Sequence, residues 1–165
     1  EVLHRRTRGV QLSRQRSAML VAIKESSKHI EDLVQQVPSA SARAAADVLL
    51  VRQATYVEKV EELAYLSEWL EQQATELRTR AKREQTRSKV EFVMQRVEQI
   101  DTEVTSTRDF LIDSEASLLA VIATQDEQGT SRWFARYSEE FERHYEVARA
   151  IQAELAIVRG EYEGV

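Results

Sequence analysis

The sequence predicts an all-α protein, either an antiparallel four-helix bundle or a related helical coiled-coil module. Its 165 residues are rich in Ala, Glu, Gln, Arg, Leu and Val, and they include only four glycines and one proline. Apolar residues recur at steps of three and four along most of the chain. Between Ser41 and Glu127 there is no glycine, proline or asparagine to end a helix.

The composition also limits what the chain can be. Hydrophobic residues make up 42%, enough for a core, and the 31% of charged residues predicts helices with wide solvated faces. Without cysteine the chain has no disulfide, no thiolate zinc site and no thiol nucleophile. No apolar run is long enough for a transmembrane helix. We expect residues 1–165 to form a single domain that is a fragment of a larger protein.

The first predicted helix covers residues 10–36. Pro38 ends it, because the residue before a proline is disfavoured in the α region. Ser39 or Ser41 can cap the next helix. The seam positions of this first helix are Leu12, Arg16, Met19, Ile23, Ser26, Ile30, Leu33 and Val37.

The second predicted helix covers residues 41–82 and has the longest apolar seam. A third apolar position per heptad, at Leu50, Val57 and Ala64, widens the stripe beyond that of a two-stranded coiled coil and favours a bundle helix. Its seam positions are Ala42, Ala46, Leu49, Gln53, Tyr56, Val60, Leu63, Ser67, Leu70, Ala74, Leu77 and Ala81.

Two further helices are predicted at residues 88–126 and 131–159. Gly129 is predicted to stop the third helix, and Thr130 or Ser131 to cap the fourth. The third seam is Val90, Val93, Val97, Ile100, Val104, Thr107, Leu111, Ser114, Leu118 and Val121. The fourth seam is Phe134, Tyr137, Phe141, His144, Ala148, Ile151, Leu155 and Val158.

The apolar rhythm breaks between Ala81 and Val90. Nine residues at about 100° each rotate the seam by about 900°, half a turn out of phase. In one architecture, residues 82–88 form a tight turn, and Ser88 and Glu91 make a capping box for the third helix. In the alternative, one continuous central helix about 130 Å long carries a shorter helix folded back at each end. The capping box favours the turn, and the lack of helix breakers favours continuity.

Nothing in the sequence indicates an enzyme, a cofactor or a metal site. There is no glycine-rich phosphate loop, no GxSxG and no HExxH. Glu140 and His144 are one helical turn apart, but a carboxylate-bridged metal site in a bundle needs Glu-x-x-His on two helices. We therefore expect His144 to be a partly buried histidine with a local hydrogen bond. Polar residues also occupy seam positions, and they are expected to fix helix register or to be simply tolerated there, rather than to line a small ligand cavity. They are Ser26, Gln53, Ser67, Thr107, Ser114 and Gln125.

Two basic segments are the main functional lead. Arg5, Arg6 and Arg8 lie in an N-terminal stretch without acids after Glu1, and the second segment runs from residue 78 to 89. Either architecture is expected to bring the two together, where they can contact an anionic surface on an acidic protein, on tubulin or on a membrane. The net charge of −5 and the lack of interleaved aromatics argue against nucleic acid. The basic residues of the second segment are Arg78, Arg80, Lys82, Arg83, Arg87 and Lys89.

Tyr65 and Trp69 lie one turn apart, away from the main seam of the second helix. They are either covered by another helix of the bundle or serve as contacts for a partner helix. We expect a non-enzymatic, self-associating scaffold or protein–protein interaction module, intracellular and either cytoplasmic or cytoskeletal. One alternative is an extracytoplasmic four-helix ligand-sensing domain, and another is a BAR-like module that binds membrane surfaces or the cytoskeleton.

Overall fold

The structure is a computed structural model that describes residues 10–37, 40–80, 83–124 and 126–163. It is an all-α four-helix bundle, as the sequence predicts, and no described residue belongs to a β-strand. The helices are α1 (Arg14–Val34), α2 (Ala40–Arg80), α3 (Glu84–Thr124) and α4 (Glu127–Glu163).

The long helices α2 and α3 form a hairpin, and the other two helices pack on its opposite sides. Helix α1 runs antiparallel to α2, since Arg16 bonds to Glu68 and Lys24 to Glu61. Helix α4 runs antiparallel to α3 and contacts α2 through aromatic residues such as Tyr56 and Phe141. Within the described residues α1 and α4 do not pack against each other.

The packing of α2 against α3, with Ser67 bonded to Asp101, confirms the hairpin and rules out a continuous central helix. Helix α2 ends at Arg80 and α3 begins at Glu84, four residues earlier than predicted. Ser88 lies inside α3, so the predicted capping box is wrong. The first turn of α3 carries Glu84, whose charge is favourable at a helix N-terminus, and the backbone N–H of Arg87 donates to the carbonyl of Arg83 at 3.2 Å.

The connection between α3 and α4 is also shorter than predicted. Asp126 caps α4: its Oδ1 accepts from the N–H of Gln128 at 3.1 Å, and its carbonyl accepts from Thr130 at 2.9 Å. Gly129 therefore lies in the first turn of α4 and does not end α3, and Thr130 and Ser131 are not caps. A Cβ at Gly129 would lie 2.9 Å from Asp126 Oδ2, so a larger residue there would require the Asp126 carboxylate to move. Helix α4 also passes the predicted end at residue 159.

At its start, α1 is capped by Ser13, whose hydroxyl accepts from the N–H of Arg16 at 3.3 Å. It ends at Val34, four residues before Pro38, which is itself outside the described residues. Ser41 lies within α2 and is not its cap, and Ser39 is not among the described residues.

The four predicted seams form the core. On α2, every seam position from Ala46 to Ala74 is buried, and on α3 every one from Val90 to Leu118 is buried. On α4 the buried seam positions include Tyr137, Phe141 and Ala148. The half-turn phase change across the turn is needed because the chain reverses there, and the seams of both helices must face the same interior.

Candidate functional site

We call residues 78–89 the basic turn. Its described basic side chains are all solvent-exposed, and none forms an ion pair with a described carboxylate: Arg78, Arg83, Arg87 and Lys89. Elsewhere in the described chain some exposed arginines, such as Arg132 and Arg136, have carboxylate partners, and others, such as Arg43 and Arg143, have none. The basic turn differs because four unpaired cations lie within twelve residues of sequence. The structure therefore places an unneutralised positive charge at one end of the bundle.

The remaining predicted anionic-partner contacts cannot be located, because they lie outside the part of the chain that the structure describes. These are Arg5, Arg6 and Arg8, together with the side chains of Arg80 and Lys82.

The N-terminal end of α1 points toward the basic turn but does not reach it. The N–H of Ser13 donates to Glu68, which precedes Arg80 by twelve residues, or about 18 Å along α2. The predicted approach of Arg5, Arg6 and Arg8 to this turn stays a prediction, because residues 1–9 lie outside the described chain; α1 itself begins short of the turn. The reason is length, since α1 has 21 residues whereas α2 and α3 have 41 each.

The start of α1 is joined to both long helices by Arg16, whose side chain is only 9% exposed. Its guanidinium donates to Glu68 at 2.9 Å, to Asp101 at 2.8 and 2.9 Å, and to Glu71. Burial alone would lower the pKa of Arg16, but its bonds to Asp101 and Glu71 outweigh burial and raise it. Arg16 therefore stays charged. We call these four residues the Arg16 cluster.

The Arg16 cluster was not predicted from the sequence. The only sign of it in the sequence was an arginine at a seam position of the first helix. Its three carboxylate partners come from two other helices. Ser67 on α2 belongs to the same network, since its hydroxyl donates to Asp101 at 3.0 Å. The cluster thus determines how α1 sits against the hairpin.

Beyond the start of α1, an open groove continues on the same side of the α2–α3 hairpin. Its volume is about 820 Å3. Met94 and the buried Val97 form apolar surface within it, while Glu91 and Glu98 are exposed on its rim. The start of α1 closes one end of the groove at Arg16.

Polar residues cross the middle of the bundle and link α1, α2 and α4. Gln53 is 2% exposed, and its amide donates to the carbonyl and hydroxyl of Ser27 at 3.1 and 2.9 Å. Its carbonyl oxygen accepts from the hydroxyl of Tyr137. Tyr56 is hydrogen-bonded to Thr107 at 2.7 Å. Burial raises the pKa of both tyrosines well above the usual phenol value.

His144 is half-buried, as predicted, but its hydrogen bond is not local. Its Nδ1 lies 3.3 Å from Glu103 Oε1 on α3, and its ring stacks on Phe110 at 4.6 Å. Trp133 donates its Nε1–H to the carbonyl of Ser114 at 3.1 Å. These contacts align α4 with α3.

Tyr65 and Trp69 are half-buried and pack against the core. Their predicted role as contacts for a partner helix stays a prediction. The large hydrophobic residues that are exposed lie elsewhere, for example Val48 at 65% and Val51 at 70%.

The described residues contain no group of His, Asp and Glu side chains placed to hold a metal ion. None of the helices, over the described residues, combines the length and the apolar character that a membrane crossing requires. Comparisons with protein-family models, with curated proteins and with solved structures found no match. The chain is therefore described by its architecture alone: it is an all-α four-helix bundle with a basic turn at one end.

Proposed function

We propose that this chain is a non-enzymatic helical scaffold or protein–protein interaction module that self-associates and acts in the cytoplasm or at the cytoskeleton. Its basic turn contacts an acidic surface on a partner protein. The observation that carries this proposal is the unpaired positive charge of the turn. Exposed cations without carboxylate partners attract an anionic surface over several ångströms and accelerate association.

Stabilisation of helix ends does not account for this charge. Arg78 lies near the C-terminus of α2, where a cation is favourable, but Arg87 lies in the first turn of α3, where it is not, and Lys89 lies beyond that turn. Helix-end stabilisation therefore explains neither Arg87 nor Lys89, which supports a role in binding.

Co-sedimentation with polymerised tubulin, used as an acidic protein surface, tests the proposal. The parent is expected to pellet with the polymer, and the variant Arg83→Glu, Arg87→Glu, Lys89→Glu to stay in the supernatant. A matched control changes three exposed basic residues on other helices, Lys28→Glu, Arg43→Glu and Arg143→Glu, and should pellet as the parent does.

Equal pelleting of the parent and the basic-turn variant would contradict the proposed contact. Binding only to vesicles rich in phosphatidylserine, lost in high salt, would assign the turn to a membrane surface instead. Sedimentation velocity over a range of concentrations tests self-association separately, and a monomer at every concentration would exclude it.

A further inference from the structure

The groove beside the start of α1 lies where a fourth helix would complete the bundle. None of the described residues supplies a helix there. In the half of the hairpin that is farther from the basic turn, α1 fills this side. There Met19 contacts Thr105 and Arg16 binds Asp101. The hairpin continues past Ser13, and there α2, α3 and α4 have no described helix on the α1 side. A helical ligand could therefore extend the packing that α1 begins.

The apolar surface of the groove fits such a ligand. Met94 is half-buried and Val97 is 3% exposed, so a ligand side chain placed there gains contact with the core. The chain has two methionines, Met19 and Met94, and both line the groove. Methionine is flexible and polarizable, which suits surfaces that accept the side chains of another protein.

The charge of the rim decides the chemistry of the ligand. Glu71 and Asp101 are already engaged by Arg16. Glu91 and Glu98 are exposed and form no ion pair with a described residue. Arg78 on α2 also lines the groove and has no described carboxylate partner, so the two free carboxylates outnumber the one free cation among the described lining residues. Their place on α3 favours a ligand with an apolar face that carries Arg or Lys on the side facing α3.

We propose that this groove binds a basic amphipathic helix of a partner protein, parallel to α3 and in line with α1. From Glu91 to Asp101 the groove spans ten residues, or about 15 Å, which accommodates about three helical turns. Basic side chains of the ligand lie against Glu91 and Glu98, as Arg16 of α1 lies against Asp101. This goes beyond the proposed function: Arg78 of the basic turn also lines the groove, but the proposed ligand is basic and contacts Glu91 and Glu98 of α3, whereas the partner of the basic turn is acidic.

The probe is a synthetic 15-residue alanine-based helix with leucines at positions i, i+4 and i+7 and arginines beside them. A second peptide carries glutamate in place of each arginine. Peptide binding is measured by fluorescence anisotropy and located by the methyl NMR signals of Met19 and Met94. We expect the parent to bind the arginine peptide, both methyl signals to shift, and the glutamate peptide not to bind.

The variant Glu91→Lys, Glu98→Lys is expected to bind the arginine peptide about tenfold more weakly, because two attractions become repulsions. The matched control, Asp47→Lys, Glu139→Lys, makes the same charge change at exposed sites outside the groove and should bind as the parent does. Circular dichroism of each variant verifies that the bundle is intact.

Three results would overturn the proposal. The first is no binding by the parent, or equal binding of both peptides. The second is binding that appears only when residues 1–9 are removed, which would assign the groove to the chain's own N-terminal residues. The third is a parent dimer that dissociates in Glu91→Lys, Glu98→Lys, which would assign the groove to a second copy.

Discussion

Replacing Arg16 should destabilise this bundle more than any other change of a single charge on α1. The variant Arg16→Met keeps much of the side-chain volume but leaves three carboxylates without their cation. Glu68 is only 9% exposed, and removing one partner of a buried pair costs about 3–5 kcal/mol. Glu71 and Asp101 are 40% and 35% exposed, so each adds less than about 1 kcal/mol.

The expected loss in unfolding free energy is therefore about 4 kcal/mol at pH 7. Lys24→Met is the matched control, since Lys24 also joins α1 to α2, at 2.8 Å from Glu61. The side chains of that pair are 52% and 32% exposed, and its loss should cost less than about 1 kcal/mol. Urea unfolding followed by circular dichroism measures both values.

A second variant separates the uncompensated charge from lost packing. Adding Glu68→Gln, Glu71→Gln and Asp101→Asn to Arg16→Met removes the carboxylates as well, and it should recover at least half of the lost stability. An Arg16→Met protein within about 1 kcal/mol of the parent would refute the reasoning, because the cluster would then not hold α1 in place.

Gln53→Leu should lower the unfolding free energy by about 1–3 kcal/mol, because Ser27 and Tyr137 lose their buried partner, whereas Gln72→Leu on the surface should have little effect. Burial raises the pKa of Tyr56 and Tyr137 above the unfolded value of about 10. The folded chain then keeps protons that the unfolded chain releases, so stability present below pH 10 is lost as pH rises further. The part of the tyrosinate absorbance that comes from Tyr56 and Tyr137, two of the five tyrosines, should appear together with loss of helical circular dichroism. Ionisation of these two tyrosines in a bundle that stays folded would contradict this.

The seams could be read from the sequence because burial follows a period of three and four residues. Gln53, Ser67 and Thr107 were placed in them correctly, since a polar residue at a seam position is carried into the core by its apolar neighbours. The half-turn phase change between Ala81 and Val90 likewise required a change of direction or of face. In the structure the chain changes direction between α2 and α3.

Helix ends and long-range partners could not be read in the same way. Ser88 and Asp126 both have side chains that can cap a helix, and only the actual path of the turn decides which one does. The partners of Arg16 lie 52, 55 and 85 residues away, so their approach depends on how three helices align. The groove escaped prediction for the same reason, since it follows from α1 starting short of the turn that joins its two neighbours.

The most direct test of the whole account is the distance between spin labels on the two long helices. Because the chain has no cysteine, Glu58→Cys, Thr102→Cys places labels only at two exposed sites on α2 and α3. In the hairpin, neighbouring helices lie about 8–10 Å apart, so the labels should be separated by less than about 30 Å. A continuous helix would hold these sites about 66 Å apart, and a distribution centred there would contradict the bundle and both binding proposals.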